Sequence, residues 1–79
     1  MTIENAIART NNPTEWIDGN VFSFQIVFEN ENHIDETSFD VDCTTSTWRD
    51  EIVELWKEFA KENNINENSV IEIWSTLMS

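Results

Sequence analysis

Carboxylates are the main chemical resource of this chain: sixteen Asp and Glu stand against four Lys and Arg, for a formal net charge of −12 at pH 7. The segment DEIVELWKEFAKEN, residues 50–63, sets Asp50, Glu54, Glu58 and Glu62 at successive four-residue steps. On a helix such like-charged pairs repel, each costing roughly 0.2–0.5 kcal/mol. A second pair, Asp40 and Asp42 in SFDVDCT, stands two residues apart, which on an extended strand is about 6.8 Å and comparable to neighbouring phosphates along a nucleic-acid strand. Glu29, Glu31, Asp35 and Glu36 flank or occupy the polar stretch NENHIDET, predicted to be a loop. Carboxylates so placed can present a negative field to a basic surface.

Other chemistry has fewer materials. His33 is the one histidine, set among acidic neighbours, and the chain has no Tyr. Acid–base or nucleophilic catalysis needs a second group in reach, so His33 reads as an exposed loop residue rather than a catalytic base. ENENHIDE superficially resembles a calcium loop, but lacks the turn Gly, the first Asp and the bidentate Glu at the right distance. Gly19 is the sole glycine, which excludes a glycine-rich phosphate cradle, and GxSxG, HExxH and CxxC are all missing. Cys43 is the single cysteine, so no intrachain disulfide or cysteine metal cluster is possible, and its place in an alternating stretch predicts a small buried hydrophobe. The expectation is a non-enzyme with no cofactor and no metal.

The elements that must position these carboxylates follow from periodicity. VFSFQIVFE (21–29) alternates, with Phe22, Phe24, Ile26 and Phe28 on one face and Ser23, Gln25, Val27 and Glu29 on the other. SFDVDCT (38–44) puts Phe39, Val41 and Cys43 inward and Asp40 and Asp42 outward, and should pair antiparallel with the first strand. Trp48, Ile52, Leu55, Trp56 and Phe59 form one apolar helical stripe, with Thr47 or Ser46 as its cap. At about 100° per residue, Glu51, Glu54, Glu58 and Glu62 share one flank of that helix, while Lys57 and Lys61 lie beside Asp50 and Glu54. Asn63 or Asn64 can take the left-handed closing position, with Ile65 folded back on the last turn. SVIEIWS (69–75) is a further strand. If Ile71 and Ile73 face the helix, then Val70, Glu72 and Trp74 face outward, and one residue of slip reverses this. TIENAIAR suggests a short helix carrying Ile3 and Ile7, and EWIDGNV a short strand hairpinned to the first long one through Asp-Gly. The predicted class is α+β: a small antiparallel sheet of three to four strands with one main amphipathic helix on one face, in the order α-β-β-β-α-β.

The totals bound the function. Seventy-nine residues make one domain, 1–79, with a core but little room for a deep catalytic cleft. The 39% hydrophobic content, with four Trp and five Phe, argues against disorder. A net charge of magnitude about 2–8 suffices for solubility, so the excess points to a basic partner and away from direct contact with nucleic acid or anionic membrane. MTIENAIARTNN lacks the pattern of a signal peptide and no apolar run is long enough to span a bilayer, so a cytoplasmic protein is expected.

In length, −12 charge, lone Cys and sheet-plus-helix plan, the chain resembles the small acidic inhibitors of phages and mobile elements: anti-CRISPR proteins, antirestriction proteins and the uracil-DNA glycosylase inhibitor. The resemblance is one of type and transfers no site residue. It implies an inhibitor that occupies the nucleic-acid surface of a basic enzyme, with a CRISPR effector in a bacterial host cell as the first target, since its guide and target channels are extended basic grooves. The residues nominated for partner binding are Glu29, Asp35, Glu36, Asp40, Asp42, Glu51, Glu54, Glu58, Glu62, Glu72 and Trp74, with Trp74 as an apolar anchor. Two alternatives are an immunity or antitoxin protein neutralising a basic nuclease, and a non-inhibitory acidic module whose apolar open-face residues make a homodimer. The chain is accordingly expected as a monomer or homodimer.

Overall fold

The structure, a computed structural model, describes residues 1–9, 21–43 and 47–78. Its elements run α1 (Ile3–Arg9), β1 (Val21–Asn30), β2 (His33–Asp42), α2 (Trp48–Glu62) and β3 (Val70–Met78). The three strands form one antiparallel sheet in the order β2-β1-β3. The α+β class is as expected, with three strands and two helices among the described residues. The strand expected in EWIDGNV, the ambiguous Trp16 and the alternative cap Ser46 lie outside them.

β1 is central because its alternation supplies an uninterrupted apolar face. Phe22, Phe24, Ile26 and Phe28 are all buried, and their neighbours Val41 on β2 and Val70 and Ile73 on β3 close the same layer. Against it α2 lays Trp48, Ile52, Trp56 and Ala60, each buried. Aromatic contacts join the layers: Phe24 stacks on Trp48 with centroids 5.6 Å apart, and Phe28 meets Trp56 at 5.2 Å and Phe59 edge-on at 5.9 Å. Such pairs add about 0.5–1.5 kcal/mol each beyond the area they bury. The Trp56 indole N–H donates to the Glu67 carbonyl at 2.9 Å, tying the loop after α2 to the core. α1, capped by the Thr2 hydroxyl accepting from the Asn5 N–H at 3.1 Å, buries Ile3, Ala6 and Ile7 and touches β3 and α2.

The ends of α2 are only half as expected. Thr47 holds the N-cap position and its carbonyl accepts from the Glu51 N–H at 3.0 Å, but its side chain makes no capping bond. At the other end Asn64 takes the left-handed position with φ 55°, the Ile65 N–H donates to the Ala60 carbonyl at 2.8 Å and the Asn64 N–H to that of Lys61 at 3.4 Å. This bonding closes the helix in a Schellman motif.

Two expectations are corrected. The polar stretch NENHIDET is no loop: the hairpin turns on Glu31 and Asn32 alone, both with positive φ (49° and 67°), and β2 begins at His33. Two-residue hairpin loops need that backbone because it matches the strand twist, and the usual Gly signal is missing. His33, Asp35 and Glu36 are therefore strand residues, all exposed. The last strand carries a bulge: Val27 pairs with Glu72 but Phe28 with Val70, leaving Ile71 extra. Val70 is thus buried, not outward, and Ile71 is exposed, not under the helix, while Ile73 stays in and Trp74 out.

Candidate partner-binding surface

The sheet positions facing away from the helices can be read from the register. Across β2, β1 and β3 they run Glu36–Val27–Glu72, then Ser38–Gln25–Trp74, then Asp40–Ser23–Thr76, with Ile34 beside Glu29 at one end and Asp42 beside Val21 at the other. This outer face gathers Glu29, Glu36, Asp40, Asp42 and Glu72, all exposed, with no Lys, Arg or His among these positions. Asp35, opposite Phe28, belongs to the other face and is separated from Glu36, its neighbour in sequence.

β2 is an edge strand, pairing among the described residues with β1 alone. α2 runs beside it, and between them lies a groove of about 320 Å³ lined by Asp40, Val41, Asp42, Glu51, Glu54, Leu55 and Glu58. Helical spacing brings Glu51, Glu54 and Glu58 to the flank that meets β2, and strand alternation brings Asp40 and Asp42 to its rim. Val41 and Leu55 form the apolar floor. Five carboxylates from two elements thus share one concavity, whose described lining residues include no Lys or Arg. Asp40 and Asp42 also belong to the outer face, so the acidic surface continues over the β2 edge onto the helix. Glu62 lies one turn beyond the groove.

The cations lie elsewhere. Lys57 reaches Glu4 of α1 at 3.9 Å, and Lys57 and Lys61 border a second concavity of α2 with Asp50, Val53, Glu67 and, shared with the groove, Glu54 and Glu58. Arg49 lies over the Trp48 ring, 4.3 Å from its centroid. The ion pair of Lys57 is thus made with Glu4 of α1, a partner that sequence spacing did not reveal, and Glu54 and Glu58 lie between the groove and the two lysines.

Cys43 is buried beside the groove, its Sγ 3.6 Å from the Val41 carbonyl. Its thiol is pushed up from an ordinary 9.0 to about 11, chiefly by burial and then by the charges of Asp42 and Glu51. Each of these disfavours a thiolate. Among the described residues no three His, Cys, Asp or Glu side chains converge to hold a metal ion, and no helix is long and apolar enough to cross a membrane.

Trp74 is 47% exposed and Ile34 74% exposed, both on the outer face. The outward tryptophan belongs to one of the two registers the sequence allowed. The isoleucine was not legible, because it fell within the presumed loop; extending the alternation of SFDVDCT back to His33 would have found it. Comparison with protein-family models, curated proteins and solved structures finds no match to this chain.

Proposed function

We propose that this protein is an inhibitor of the anti-CRISPR type, which occupies the basic nucleic-acid-binding surface of a CRISPR effector or similar bacterial defence nuclease with a surrogate polyanion. The observation that supports this reading is the groove between β2 and α2, where Asp40, Glu51, Glu54 and Glu58 meet with no Lys or Arg among the described lining residues. Assembling like charges from two elements works against folding, and a partner rich in Arg and Lys supplies the compensation on binding. The reaction partner is a protein; nucleic acid competes with this chain instead of binding it. The setting is the bacterial cytoplasm, where such effectors act.

Charge reversal tests it. Asp40→Lys together with Glu58→Lys, two exposed positions on opposite walls of the groove, should abolish binding to the effector that the wild type inhibits while far-UV circular dichroism stays unchanged. Undiminished affinity in the doubly reversed variant would remove the groove from the mechanism.

A further inference from the structure

Trp74, Val27 and Ile34 lie diagonally across the outer face, one from each strand, flanked by Glu72, Glu36 and Glu29. Large side chains on an open sheet face, 47% and 74% exposed at Trp74 and Ile34, are interface material when ringed by polar groups. Two occupants fit an apolar stripe: a second copy or a foreign protein. A second copy would set one acidic face against another: Arg9 borders Glu72 at the β3 margin, but the outer-face positions themselves, Glu29, Glu36 and Asp40 among them, include no Lys, Arg or His to interleave. Like charges opposed across an interface are costly. Charge complementarity selects a basic protein segment.

The residue types narrow it further. Trp74 and Glu72 are alternate residues on the same face of β3. An indole beside a carboxylate suits a planar guanidinium, which stacks on an aromatic face while its N–H groups reach the acid; an ammonium offers a point charge without a plane. The chain contains the same chemistry at Arg49, whose guanidinium lies over Trp48. We propose that the outer sheet face docks an arginine-bearing segment of the partner, one arginine stacking on Trp74 against Glu72 while Val27 and Ile34 take its aliphatic neighbours. This rests on the reading above for the partner's basicity and adds the chemistry by which it is held: the groove attracts, and the sheet face selects arginine.

Blocked hexa-arginine and hexa-lysine peptides, titrated into the full chain with the Trp74 indole resonance followed by NMR, test the proposal. Hexa-arginine should bind about two- to five-fold more tightly than hexa-lysine, the margin of an exposed cation–π contact, and should shift the Trp74 indole. Trp74→Ala should erase that margin, and Glu72→Gln should reduce it if the alanine variant folds poorly. Equal affinities with an unmoved Trp74 resonance would overturn the docking proposal while leaving the acidic-surface reading intact. Failure of both peptides to bind would overturn both. A dimer in sedimentation that Trp74→Ala dissolves would assign the face to a second copy and also overturn it.

Discussion

Cys43 joins the core to the acidic surface. Its buried thiol is held up at about 11 against an ordinary 9.0, by burial first and by Asp42 and Glu51 second. Below pH 9 folded and unfolded chains both keep the proton, and the residue adds no pH dependence. Between about 9 and 11 the unfolded chain releases it while the folded chain does not, so stability falls as pH rises and the contribution is spent above 11. The urea midpoint should therefore decline more steeply across this window in the wild type than in Cys43→Ala. Parallel curves would show that the folded thiol titrates normally. The sequence announced Cys43 as buried through the alternation Phe39, Val41, Cys43; that Glu51 reaches it depends on how α2 docks, which periodicity does not encode.

At the scale of elements, α2 was readable because its two faces differ so sharply. Its apolar stripe is the buried one, and the flank of Glu51, Glu54 and Glu58 is the one that faces β2. What spacing could not say was which neighbour that flank would meet, since strand order is a property of the assembled sheet. Replacing Glu54 and Glu58 by Gln should raise thermal stability slightly, by about 0.2–0.5 kcal/mol for each repelling pair removed, and slow association with a basic target. A loss of stability would mean that these carboxylates make contacts the fold requires. The β1–β2 pairing was readable but its loop was drawn too long, for an identifiable reason: Glu31, a residue that disfavours positive φ, occupies a position with φ 49°. Left-handed backbone costs a non-glycine residue roughly 1–2 kcal/mol, less for Asn. Glu31→Asn should thus stabilise the fold in denaturant unfolding, whereas a lower midpoint would show that the turn needs the glutamate side chain. The bulge at Ile71 was hidden likewise, because SVIEIWS alternates well in either register and only pairing with β1 selects one.

Taken whole, the molecule concentrates net charge −12 on a small body, its Cα radius of gyration 12.3 Å. Opposing charges near one another largely cancel beyond the Debye length of about 8 Å at physiological salt, so the distribution matters more than the total. Here Lys57 and Lys61 border Asp50, Glu54 and Glu58 on α2, Arg9 borders Glu72 and Arg49 lies over Trp48, while the described lining of the β2–α2 groove, which continues at Asp40 and Asp42 onto the outer sheet face, includes no Lys or Arg. Composition made the acidity plain, and the fold gathers five of the carboxylates around one groove. Displacement is the most direct measurement of what that surface does. The tagged chain is incubated with nuclease-treated bacterial lysate containing CRISPR effectors, the captured proteins are identified, and each complex is challenged with short DNA and guide RNA. The surrogate-polyanion account predicts capture of a basic nucleic-acid enzyme that rising concentrations of DNA or RNA release. A captured enzyme that stays bound at saturating nucleic acid would contradict it.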